Sequence, residues 1–156
     1  MIQRMLSVVI AERPDTADAM LLIDELEAYL APQYPAESRH GYSVEKLIRQ
    51  QVAFFVMRQD GVPAGCGGVQ LFGTDYGEVK RMYVRPQFRG QGLAKLMLNR
   101  LAEHTLQYGV SVLRLETGIY QTEAIRLYEQ WGFRQIPPFG EYKVDPLSLF
   151  YEKRIG

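Results

Sequence analysis

What the chain has little of narrows it first. One cysteine, Cys66, stands among 156 residues, so no disulfide closes within the chain and a reducing compartment suits it. An excess of either charge is missing too: 18 Lys and Arg balance 18 Asp and Glu. A general nucleic-acid surface needs surplus positive charge, so no nucleic-acid partner is expected. No apolar run approaches the roughly eighteen residues of a membrane helix, and no membrane association is expected. Residues 1–10 are basic and then apolar, but the apolar part is short and Glu12, Arg13, Pro14 and Asp15 follow it. This start reads as a first strand rather than a leader peptide. Linkers, internal repeats and composition breaks are also lacking. With 47% hydrophobic and 23% charged residues, the expectation is one domain over residues 1–156, cytoplasmic, as a monomer or homodimer.

Periodicity and turn residues divide what is there. Residues 7–11 read as a strand. Pro14, Asp15 and Thr16 signal a helix start, and residues 17–30 carry helical spacing, ended by Pro32 and Pro35. Residues 34–41 form a loop, and Ser43 caps a short helix. Strands are predicted over 52–58 and 63–72, joined by the Asp60-Gly61 hairpin turn, and over 77–84. A helix runs from about Gly90 to Tyr108, stopped by Gly109. A strand over 110–116, a helix over 122–131 stopped by Gly132, a strand beginning at Phe133 and a last strand over 148–153 follow. The order is β-α-α-β-β-β-α-β-α-β-β. It implies an α/β (α+β) chain with a mixed, mostly antiparallel sheet of six to seven strands and helices on both faces.

Gln87, Phe88, Arg89, Gly90, Gln91, Gly92, Leu93 and Ala94 lie between a strand and a long helix. Amides of a first helical turn lack intrahelical partners, the helix dipole adds positive charge there, and Gly90 and Gly92 remove side chains that would block a phosphate. A dinucleotide fingerprint would need a third glycine, and a P-loop would need Lys-Ser/Thr after the second. Neither is present.

The remaining pattern, Gln/Arg-x-x-Gly-x-Gly/Ala, is met by Gln87, Gly90 and Gly92. It resembles the acetyl-CoA pyrophosphate loop of the GNAT superfamily of N-acetyltransferases. A second match lies in Ala124, Leu127, Tyr128, Gly132 and Phe133, which fill every fixed position of the family's Ala-x-x-Leu-Tyr-x-x-x-Gly-Phe. Gln121 stands where many members carry Asn. The element order is similar to the GNAT fold over nearly the whole chain.

The resemblance implies acetyl-CoA as cosubstrate, with no metal. Met82, Tyr83, Val84, Gln87, Arg89, Gly90, Gln91, Gly92, Leu93, Ala94 and Tyr128 would contact it. The strand end at Met82, Tyr83 and Val84 would hold the pantetheine arm, and an amide there would stabilise the oxyanion. Tyr128 would face the sulfur and either protonate the thiolate or hold it by a hydrogen bond. An amine near pKa 10 needs a base to become a nucleophile. Glu78 is the first candidate and Glu116 the second, and Glu78 can instead pair with Lys80 or Arg81. Plain strand alternation places Glu78, Lys80, Met82 and Val84 on one face and Arg81 on the other. Arg81, Lys80 and Arg85 are near enough to the strand end to bind an acceptor carboxylate or cofactor phosphates. By family likeness the acceptor pocket includes Tyr34, Glu37, Glu116, Phe139 and Tyr142. Glu37 or Glu141 would hold a cationic amine and the aromatics would pack on it. Cys66, in an apolar run, reads as a small core residue rather than a nucleophile, which favours direct transfer. The implied function is acetyl transfer to a primary amine of a small molecule. A peptide acceptor and a non-catalytic acyl-CoA sensor are the alternatives.

Overall fold

The computed structural model describes residues 6–156; residues 1–5 of the expected first strand lie outside it. Among the described residues seven strands form one sheet in the order β1-β2-β3-β4-β5-β7-β6. They are β1 (Ser7–Ala11), β2 (Ala53–Gln59), β3 (Val62–Phe72), β4 (Tyr76–Val84), β5 (Val112–Gly118), β6 (Arg134–Ile136) and β7 (Ser148–Arg154). Every neighbouring pair is antiparallel except β4 and β5, which run parallel across the connection through a helix. The helices are α1 (Ala17–Leu30), α2 (Val44–Arg49), α3 (Leu93–Gln107) and α4 (Thr122–Trp131). Their order matches the sequence expectation. Two 3-10 turns, Ala36–Ser38 and Pro86–Phe88, were not anticipated.

Caps fix where these helices start and stop. The Thr16 hydroxyl accepts from the Ala19 amide at 3.2 Å and the Ser43 hydroxyl from that of Lys46 at 3.2 Å. Gly109 and Gly132, at φ 75° and 112°, end α3 and α4 in the left-handed region. α3 starts at Leu93, after Gly90 and Gly92 rather than at them.

β2 shows why the sheet is covered on both sides. Its near-continuous apolar run sends Phe55 and Met57 to one face and Phe54 and Val56 to the other. Phe55 and Met57 pack with Met97, Leu98 and Leu101 of α3 and with Tyr128 of α4. Phe54 and Val56 pack with Leu22, Ile23 and Leu26 of α1 and with Leu47 of α2. A third cluster, Tyr76, Phe139 and Phe150, closes the far end of the sheet.

Candidate active site

β4 and β5 part in the middle of the sheet. They pair at Gly77↔Leu113 and Glu78↔Arg114. Past that point β4 stays on β3 and β5 stays on β7, so a gap opens toward their C-terminal ends.

A bulge shapes the β4 side of this gap. Gly68 faces Lys80 and Cys66 faces Tyr83, so β4 carries one residue more than β3 across that stretch. Arg81, at φ 52°, takes up the extra residue. The bulge corrects the simple alternation. Met82 and Val84 share the α3 face with Val79, while Tyr83 joins the α1 cluster. Arg81 does not turn away from the Glu78 side. Its guanidinium donates to the Tyr42 carbonyl at 2.9 Å and to Glu27 of α1 at 2.7 Å.

Two cavities meet at the gap, and Leu26, Met82, Gln121, Ala124 and Tyr128 border both. The larger, of about 460 Å3, also takes in Tyr83, Val84, Arg89, Gly90, Gly92, Leu93, Ala94 and Lys95. This is most of the set predicted for acetyl-CoA. Gln87 is exposed away from this lining, and the exposed Gln91 accepts a hydrogen bond from Gln59 at 2.8 Å. The lining fits a pyrophosphate. Gly90 and Gly92 sit at φ 78° and 80°, and nothing lies within 4 Å of where a Cβ would stand at either. No side chain caps α3, which leaves its first-turn amides open. The Tyr83 phenol donates to Glu25 at 3.1 Å, so Tyr83 offers the channel its backbone. Arg85 is engaged by Glu25 through two contacts of 3.0 Å.

The smaller chamber, of about 140 Å3, is bordered by Glu78, Glu116, Tyr34 and Tyr142 from the predicted set. Glu37 and Phe139 are not on its wall; Glu37 and Glu141 border an adjoining cavity that shares Ser38, His40 and Tyr142 with it. Glu37 is exposed on the 3-10 turn, and Glu141 is likewise exposed. Phe139 is buried behind Tyr142, 5.3 Å between ring centres, and against Tyr76 and Phe150. The Tyr34 oxygen accepts from the Tyr120 amide at 3.0 Å and from Gln121 at 3.1 Å. Gln121, which replaces the family's frequent Asn, is turned to this contact.

The two candidate bases differ in their surroundings. One oxygen of Glu78 accepts from Lys80 at 2.8 Å and from the Tyr142 hydroxyl at 2.5 Å. Lys80 is enclosed and lies 4.0 Å over the Tyr42 ring. Glu116 has no ion pair among the described residues. Burial raises its carboxyl above the usual carboxylate range; Ser148, His40 and Lys80 oppose that shift and the Glu78 charge adds to it. Burial, and then the charge of Glu116, push the Tyr128 phenol up, so it stays protonated. Burial and Glu78 do the same to Tyr142. Cys66 has no exposed surface, packs in the α1 cluster, and has its thiol pushed up to about 12 by burial.

Sequence reasoning passed over several wall residues. Arg39 and His40 reach the chamber from the 34–41 loop, and Tyr29 and Lys95 border the channel. Two glycines carried a usable signal. A Cβ at Gly41 would run into the Arg81 guanidinium, and one at Gly118 into the Tyr34 ring.

Residues 21–133 match the model of the Acetyltransferase (GNAT) family. The IAA acetyltransferase of Azospirillum brasilense is 43% identical over 149 residues, covering 94% of this chain and 97% of that protein. The uncharacterised N-acetyltransferase YsnE of Bacillus subtilis is 34% identical over 123 residues, 78% of this chain and 82% of its own. A crystal structure from Klebsiella pneumoniae, provisionally assigned as an acyl-CoA N-acyltransferase, superposes with a TM-score of 0.83 at 33% identity. It covers 97% of this chain and 99% of that one.

Proposed function

This chain belongs to the acetyltransferase (GNAT) family and is an acetyl-CoA-dependent N-acetyltransferase; from that premise we propose that it moves the acetyl group directly to a primary amine of a small molecule. The observation that carries this proposal is the β4–β5 gap, where the larger channel meets a chamber of about 140 Å3 at Tyr128. That chamber is below the roughly 300 Å3 at which pockets for drug-sized ligands begin. Tyr34 and Tyr142 stand on its wall. A peptide acceptor needs an open groove, so the small chamber favours a small acceptor. The domain assignment over residues 1–156 is part of the same proposal.

Acetyl-CoA supplies an activated thioester. The open amides of α3, Gly90 and Gly92 hold its pyrophosphate, with Arg89 and Lys95 beside them, and the β4 end at Met82, Tyr83 and Val84 lies along its arm. The unprotonated amine attacks the thioester carbon; as the C–N bond forms and the C–S bond breaks, Glu116 takes the proton that the nitrogen gives up and CoA leaves as its thiolate. The raised pKa of Glu116 makes it the better acceptor, whereas Glu78 is ion-paired with Lys80 and accepts a hydrogen bond from the neutral Tyr142 phenol. Glu78 is therefore assigned to fixing the chamber wall and orienting the amine. Tyr128 steadies the departing thiolate by a hydrogen bond. A free thiol loses its proton near about 8.5, so a phenol held above its ordinary pKa keeps its own. The buried Cys66 is in no position to carry an acetyl group.

Incubating the enzyme with labelled acetyl-CoA and cell lysate tests the acceptor class. Label in the small-molecule fraction is the expected result; label confined to protein bands would overturn it.

A further inference from the structure

Three cationic side chains border the small chamber, Arg39, Lys80 and Arg81, and the His40 imidazole stands beside them. Two are matched at short range, Lys80 by Glu78 at 2.8 Å and Arg81 by Glu27 at 2.7 Å. Arg39 is not. Its contact with Glu27 is 3.4 Å long, to a carboxylate that is 44% exposed and already held by Arg81. Its Nε is buried with no hydrogen-bond partner among the described residues. The side chain keeps 31% of its surface exposed and is held only by that long contact, so its terminal N–H groups are free to turn toward a bound anion at the chamber. The adjacent His40 reaches Asp145 only at 3.8 Å and stands edge-on to the Tyr142 ring. The same chamber holds Glu116, an acidic group without an ion pair among the described residues, which suits an amine.

We propose that the acceptor carries a carboxylate as well as its amine, a small amino-acid-like zwitterion, and that Arg39 recognises the carboxylate. The planar guanidinium matches that group geometrically, and a site built to hydrogen-bond a carboxylate rejects analogues that lack one. This rests on the acetyl-transfer function proposed above and adds the acceptor's second functional group to it.

The test is calorimetric titration, with CoA present, of the common amino acids and their carboxamides against the wild type, Arg39→Gln and Arg39→Lys. At least one acid should bind the wild type tenfold or more tighter than its amide. Arg39→Gln should lose that preference with CoA binding unchanged, and Arg39→Lys should recover part of it. If no acid is preferred over its amide, or if Arg39→Gln keeps the preference, the carboxylate site is overturned. Thiol release measured on the same pairs separates the two proposals. Acids that bind through Arg39 but are not acetylated would sink the transfer function and leave the carboxylate site standing. Amines acetylated without regard to a carboxylate would do the reverse.

Discussion

Glu78 and Glu116 show how neighbours divide work between two identical functional groups. Glu78 is buried with an ammonium and a phenol hydroxyl on one oxygen, while Glu116 is half-buried without an ion pair among the described residues, and its pKa rises. A base must be ionised to work, so activity should fall as pH drops through that raised pKa. The inflection in kcat/KM should therefore lie above the usual carboxylate range. Glu116→Gln should abolish that acid limb and lower kcat by about 10²-fold or more, while acetyl-CoA still binds. Glu78→Gln should act mainly on acceptor KM. An acid limb that survives in Glu116→Gln and vanishes in Glu78→Gln would exchange the two roles. Tyr128→Phe removes only a hydrogen bond to the leaving group, so kcat should fall more than acetyl-CoA affinity. Equal losses in both, read by steady-state kinetics and calorimetry, would assign Tyr128 to packing.

At the scale of elements, the strand and helix order was legible because each boundary carried local chemistry: Ser43 as a cap, Asp60-Gly61 as a hairpin turn, Gly109 and Gly132 as stops. The residues that line the larger cavity were legible for the same reason, since Gly90, Gly92, Leu127 and Tyr128 fall within short contiguous patterns. The acceptor side was not. Arg39, Lys80, Tyr142 and Glu116 come from a loop, two strands and a second loop, and only the folded sheet brings them to one cavity. The bulge at Arg81 was invisible too, because a non-glycine residue at positive φ leaves no mark in the sequence. It reversed the face of Met82 and Val84. Gly118 ties the elements together by leaving room for Tyr34 against the end of β5. Gly118→Val should push Tyr34 aside and break its contacts with Tyr120 and Gln121. Overpacking of this kind costs about 1–3 kcal/mol, so the melting temperature should drop by several degrees and acceptor KM should rise. A variant with unchanged melting and KM would show that the Tyr34 contact does not shape the chamber.

For the molecule as a whole, two helical layers cover one sheet, and the larger cavity at the gap is the proposed donor site. CoA binding to that site should stabilise the fold. At a hundredfold excess over Kd the gain is about 2.7 kcal/mol, which for a chain of this size raises the melting temperature by roughly 5–10 °C. No rise at saturating CoA would mean the channel is not the donor site. The central claim is that the small chamber delivers a small amine to an acetyl donor at the β4–β5 gap. It is tested most directly by thiol release from acetyl-CoA across a panel of small primary amines and amino acids, with product mass recorded for each. The account predicts release above background with at least one acceptor, a product heavier by one acetyl group, and a large loss in Glu116→Gln. Release with no member of the panel, from an enzyme that binds CoA and labels lysate proteins, would contradict it.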